Sequence, residues 1–123
     1  MARRRYYTKE LANKSLPLVR RIAADIQATA RQIQASTQEL RATADGGPVD
    51  GDLEPLRDRF ESLVGELEAM GVELKDPLTG LLDFRARRGS GEVYLCWRLG
   101  ESEVGHWHDL HAGFAGRRPI GEF

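Results

Sequence analysis

The spacing of the apolar residues changes abruptly at Gly71, and this change divides the chain into a helical region and a strand region. Before Gly71, apolar residues recur every three or four positions, which is the period of an amphipathic helix. After it they alternate with polar residues, as in a strand with one buried face. The chain has 123 residues, the length of one domain. We therefore predict a single α+β domain over 1–123, with a helical hairpin at 8–70 and a small sheet with an irregular tail at 71–123.

The helical region contains two apolar stripes separated by a strong stop signal. The first stripe has heptad spacing, at Ser15, Val19, Ile22, Ile26, Thr29, Ile33, Ser36 and Leu40. The sequence DGGP at 45–48 ends it, and a second stripe follows at 53–70 before Gly71, which fits a helix C′ position. A connection this short predicts a long antiparallel helical hairpin.

Pro17 lies inside the first stripe. Proline is best accommodated in the first turn of a helix, where its missing N–H is not needed. We therefore predict a short helix capped by Thr8 and then a kink or restart near 15–17, which gives a kinked first helix.

The second helix is too short to cover the N-terminal half of the first. Residues 16–26 therefore need cover from the sheet or from a second subunit. Core packing is the simpler explanation of the stripe. The alternative is a coiled-coil seam of a homodimer that includes Val19, Ile22 and Ile26.

Alternation and turn residues predict three or four antiparallel strands. The predicted strands lie at 72–74, 81–84, 92–99 and 104–110. Turns are predicted at 76–80 and 100–103. The segment 85–91, with three arginines, two glycines and a serine, is predicted to be an exposed loop.

The hairpin at 92–111 holds the only cysteine, both tryptophans and all three histidines. His106 and His108 are two positions apart, so on a strand they share one face. If Trp107 joins the apolar face of strand 92–99, Cys96 lies on the same side as the two histidines. If Val104 and Leu110 set the apolar face instead, the cysteine is on the opposite side. A shift of one residue separates these registers, and both stay open.

Two histidines on one face of a sheet suit a metal site. The predicted ligands are His108, His106, Glu101 and Cys96, with Asp83 among the other nearby acids. Two histidines and a carboxylate suit iron or zinc, and a cysteine favours zinc or copper. A cysteine by itself is more often a small buried side chain than a nucleophile.

Charge and motifs exclude several classes of protein. The formal net charge is −1, which argues against a dedicated nucleic-acid binder. There is no phosphate-binding glycine loop and no nucleophile elbow. No apolar run could span a bilayer, and the N-terminus has no signal-peptide pattern, so we expect a cytoplasmic protein without membrane contact.

Several segments, taken together, resemble a small bacterial family catalogued only as domain of unknown function 2203. They are YTKE with AN and LP within 7–17, GVELKDP at 71–77, GLLDF at 80–84, LCWRLGE at 95–101, WHD at 107–109 and GFAGRRP at 113–119. The signature positions that the resemblance implies are Lys75, Asp76, Asp83, Cys96, Trp97, Gly100, Glu101, Trp107, His108, Gly113 and Arg117. His106 is not part of that motif. A ligand set shared with the family would therefore centre on His108 with Glu101, Cys96 or Asp83.

Two functions follow as expectations. The first is a small soluble protein that binds a divalent metal, zinc or iron, at the C-terminal hairpin; whether it is an enzyme is left open. The alternative is a non-catalytic homodimeric scaffold that acts through its helical hairpin. Further candidate binding residues are Lys75, Asp76, Asp83, Arg98 and Arg117, of which Lys75, Arg98 and Arg117 could anchor an anionic small molecule.

Overall fold

The computed structural model describes residues 6–42 and 53–121, and these form an α+β domain. The elements are α1 (Lys9–Ala42), α2 (Glu54–Ala69), β1 (Val72–Asp76), β2 (Leu81–Arg88), β3 (Gly91–Arg98), β4 (His106–Asp109) and β5 (Arg118–Pro119), with a 3-10 turn at Phe114–Gly116. The two helices contact each other as the predicted hairpin. The predicted loop at 45–48 lies outside the described residues.

The first helix continues through Pro17 instead of stopping and restarting. Thr8 caps it as predicted, since its Oγ1 accepts a hydrogen bond from Leu11 N at 3.1 Å. Of the predicted kink or restart, the restart is wrong, because one helix runs from Lys9 to Ala42 with Pro17 inside it. Proline removes only one backbone hydrogen bond. Leu16 and Val19, on either side of it, are 3% and 0% exposed, and their burial offsets that loss.

The second helix ends where its sequence indicates. Gly71 adopts a φ of 76° and its N–H donates to Glu68 O at 2.9 Å. This left-handed residue turns the chain from α2 directly into β1. Gly71 is therefore the C′ glycine that the sequence predicts.

The sheet covers the N-terminal half of α1. Val19, Ile22 and Ile26 are 0–5% exposed and belong to one core cluster with apolar residues of the sheet. At the end of this contact, Asn13 Oδ1 accepts from Val104 N at 2.7 Å. The three predicted dimer-seam residues are thus buried within one chain, as the simpler explanation by core packing predicted.

The sheet has five antiparallel strands in the order β1-β2-β3-β4-β5, not the three or four predicted. The additional strand comes from the tail that was predicted to be irregular. There Arg118 pairs with Trp107, and Pro119 pairs with His106. Proline is tolerated at this position because β5 is the edge strand.

The predicted loop at 85–91 is also wrong, because β2 continues to Arg88 and only Gly89 and Ser90 form the turn. Ala86 is fully buried and continues the alternation of buried side chains along β2. Tyr7 N also donates to Arg85 O at 2.7 Å, which ties the residues before α1 to this strand. The arginines masked this alternation in the sequence.

The strand register selects one of the two open alternatives. Leu95 pairs with Trp107, and Cys96 pairs with His106. Directly paired residues share a face, so Trp107 joins the apolar face and the cysteine lies with the histidines. The register in which Trp107 joins the apolar face is therefore confirmed.

Neither described helix combines the length and the apolar content that crossing a membrane requires.

Candidate metal centre

The sheet face opposite the apolar core carries a row of ionisable side chains, which we call the polar face. It is defined by Asp83 of β2, Tyr94 and Cys96 of β3, and His106 and His108 of β4. Asp83, Cys96 and His108 are 3%, 0% and 2% exposed. Burial of two ionisable side chains next to a thiol requires that their charges be balanced locally.

Three of these side chains form a compact group. One potential ligand atom each from Asp83, Cys96 and His108 lies within 4.8 Å of the others. The three residues come from adjacent strands, since Asp83 pairs with Cys96 and Tyr94 pairs with His108. Regular strand pairing, without a flexible loop, therefore positions all three.

The hydrogen bonds of His108 define the state of its ring. Nδ1 lies 2.8 Å from Asp109 O, and Nε2 lies 3.1 Å from both carboxylate oxygens of Asp83. A carbonyl oxygen only accepts, so Nδ1 carries a hydrogen. In a neutral ring Nε2 is then an acceptor, facing a carboxylate that also accepts when ionised. A cation, either a proton or a metal ion, must lie between Nε2 and Asp83.

Burial is the main cause of the pKa shifts of both Asp83 and Cys96. Burial raises the pKa of the Asp83 carboxyl, and attraction to His108 offsets only part of this effect. Burial, with the Asp83 charge, raises the pKa of the Cys96 thiol to about 12. The thiol is therefore protonated near neutral pH unless a metal replaces its proton, and it is not poised as a nucleophile.

Glu101, predicted as a ligand, lies outside this group. Arg117 Nη2 donates to both of its carboxylate oxygens at 2.9 Å, and Arg98 N donates to Oε1 at 2.7 Å. Burial works to raise the pKa of Glu101, but these hydrogen bonds outweigh it and the pKa is lowered. Glu101 instead connects the β3–β4 turn to the residue before β5.

His106 lies beside Cys96 but also outside the three-residue group. Its Nδ1 is 3.7 Å from Glu101 Oε2, beyond hydrogen-bond distance. That nitrogen is buried and has no hydrogen-bond partner among the described residues.

The remaining predicted binding residues have separate contacts. Lys75 Nζ lies 3.1 Å from Glu73 Oε1, and the Arg98 guanidinium carbon lies 5.2 Å from the Phe114 ring centroid. Asp76 caps its turn by accepting from Leu78 N at 3.1 Å. The predicted anion anchors are thus already in contact with other side chains: Lys75 with Glu73, Arg98 with Phe114, and Arg117 with Glu101 and Phe114.

Sequence reasoning did not assign a role to Tyr94, whose ring lies 5.5 Å from that of His108. Its hydroxyl donates to Glu73 Oε1 at 2.8 Å and accepts from Arg85 Nη2 at 2.7 Å. Through Tyr94 this network lies beside His108 of the three-residue group. Alternation along β3 placed Tyr94 on the correct face, but Arg85 was assigned to a loop.

Comparison with known proteins identifies a family whose description assigns no activity. A family model described as an uncharacterized conserved protein, DUF2203, matches residues 5–120. No curated protein and no solved structure matches the chain. The chemistry must therefore be inferred from the polar face itself.

Proposed function

The chain belongs to the DUF2203 family of uncharacterized conserved proteins, and we propose that it binds one divalent transition-metal ion through Asp83, Cys96 and His108. These side chains offer a carboxylate oxygen, a sulfur and an imidazole nitrogen. A mixed set that includes sulfur favours zinc over magnesium or calcium, which prefer oxygen alone.

The orientation of the His108 ring is the main observation that supports this proposal. Its Nδ1–H is directed at Asp109 O, and this leaves the Nε2 lone pair directed at Asp83. Metal-binding histidines usually donate their second N–H to an oxygen in this way, which sets the tautomer and the ring orientation. The ring is therefore pre-oriented as a ligand.

Charge balance favours a divalent ion. Without metal, one proton shared by Asp83 and His108 and one proton on Cys96 leave the group neutral. With a divalent ion, the carboxylate and the thiolate again give a net charge of zero. A buried group tolerates either state, because neither leaves an uncompensated charge.

Metal content and affinity test this function directly. We expect untagged protein purified without chelator to hold about one zinc equivalent by elemental analysis. Asp83→Asn, Cys96→Ser and His108→Gln should each weaken zinc binding at least about tenfold in competition titrations, because each removes or impairs a ligand.

His111→Gln is the matched control, because His111 is an exposed histidine three residues from His108. It should bind zinc as the unmodified chain does. Circular dichroism of each metal-free variant separates ligand loss from unfolding. Zinc-free protein that also fails to bind added zinc would refute the proposal and leave Asp83 and His108 as a proton-sharing pair.

A further inference from the structure

We infer that His106 provides the fourth ligand of this metal, so that side chains of β2, β3 and β4 enclose it completely. The inference rests on the proposed function, because it concerns the same ion. It adds that the site is closed and has no position for water or a substrate. Closed four-ligand sites are typical of structural zinc, whereas catalytic sites keep one position open.

The strand register places His106 next to the three-residue group. Its Cα pairs with that of Cys96, and the Cα of Cys96 pairs with that of Asp83. The Cβ atoms of directly paired residues are typically about 4.5–5.5 Å apart on the same face. Asp83, Cys96 and His106 thus form one row across three strands, with His108 two positions further along β4.

The contacts of His106 leave one of its nitrogens available. Nδ1 is buried and makes no hydrogen bond within the described part of the chain. The nearest carboxylate, Glu101, lies 3.7 Å away and already accepts from Arg117 and from the Arg98 backbone. A buried polar atom without a partner costs about 1–3 kcal/mol, and a metal ion would use this lone pair.

Burial of the other ligands also indicates a closed site. The side chains of Asp83 and His108 are 4% and 2% exposed, and Cys96 is fully buried. A metal-bound water or substrate would need a route from solvent past these groups. The His106 side chain, which lies beside Cys96, is 37% exposed. The fourth-ligand assignment requires a rotation of the His106 side chain, because His106 is not part of the group whose ligand atoms lie within 4.8 Å of one another.

Cobalt(II), whose visible absorption depends strongly on coordination geometry, is the probe for this inference. We expect the unmodified chain to bind one Co(II) with the intense absorption of a tetrahedral site that includes sulfur. His106→Gly should weaken Co(II) binding at least about tenfold and change the spectrum, because one ligand is lost. Added imidazole should enter the space vacated by the His106 ring and restore both the Co(II) affinity and the absorption spectrum. His111→Gly is the control and should behave as the unmodified chain.

The outcomes separate this inference from the proposed function. If both glycine variants bind Co(II) with unchanged affinity and spectrum, His106 is not a ligand and the three-residue site stands. If the unmodified chain binds no Co(II), both the fourth-ligand inference and the proposed metal-binding function are wrong. If imidazole changes the spectrum of the unmodified Co(II) protein, the site is open and the fourth-ligand assignment is overturned. Thermal unfolding of the metal-free variants is the control that tests whether each variant is folded.

Discussion

At the scale of single residues, burial makes protons the main competitors of the proposed metal. The pKa of Cys96 is raised to about 12, so near neutral pH its thiol keeps its proton until a metal displaces it. The proton between Asp83 and His108 must leave as well, because a metal would use the same oxygen and nitrogen atoms. Binding of a divalent ion therefore replaces two protons, one from Cys96 and one from between Asp83 and His108, with the two positive charges of the metal.

This competition predicts that zinc affinity rises with pH. Across pH 6 to 8 we expect about two protons to be released per zinc bound, so the affinity falls as pH is lowered. Calorimetry in buffers of different ionisation enthalpy measures the number released. Cys96→Ser should release about one proton fewer, because a serine hydroxyl keeps its proton. Zinc binding that does not depend on pH would show that these groups are not the ligands.

At the scale of elements, turn geometry determines where the strands meet. Gly80 ends the β1–β2 turn with a φ of 69°, and its carbonyl accepts from Leu99 N at 3.1 Å. A Cβ at this position would lie 2.6 Å from Leu99 Cβ. The turn thus brings the start of β2 close to the end of β3, next to the strand segments that carry Asp83 and Cys96.

We therefore expect Gly80→Ala to destabilise the protein by at least about 1–2 kcal/mol, the cost of a left-handed conformation for a residue with a Cβ. Gly65→Ala is the matched control. It lies within α2, and an added Cβ there would meet no atom within 4 Å. That change should stabilise the protein by about 0.5–1 kcal/mol. Urea denaturation measures the free energy of unfolding of both variants. Equal effects of the two substitutions would contradict this account of the turn.

At the scale of the whole molecule, one sheet provides two different environments. Its apolar face packs with α1 and α2 in a single core cluster, while its polar face buries the ionisable group. The long first helix is therefore held to the sheet by its N-terminal half and to α2 by its contact within the hairpin. Val19, Ile22 and Ile26, which were predicted as a possible dimer seam, are part of this core.

Ile26→Ala should consequently destabilise the single chain by about 2–5 kcal/mol, because Ile26 is fully buried and its truncation leaves a cavity. Leu18→Ala is the control on the same helix, since Leu18 is 50% exposed and its loss should change stability by less than about 0.5 kcal/mol. Urea denaturation measures the stability, and light scattering measures the oligomeric state. An Ile26→Ala variant that changed only its oligomeric state would restore the seam interpretation.

The sequence alone determined the features that depend on residues close to one another along the chain. The change of period at Gly71, the Thr8 cap and the turn that ends at Gly80 follow from local backbone preferences and from the burial of one face. The α+β class and the helical hairpin were predictable for this reason. So was the sharing of one face by His106 and His108, since alternation along a strand is itself local.

Only the tertiary structure decided which distant residues meet. The β3–β4 register places Cys96 beside His106, and a shift of one residue would have moved the cysteine to the other face. The β2–β3 pairing places Asp83, thirteen positions before Cys96, beside the cysteine, whereas the closer Glu101 is held by Arg117. Register depends on side-chain packing across strands and on the residues that cover each face. These are interactions between segments far apart in the chain, and no local pattern encodes them.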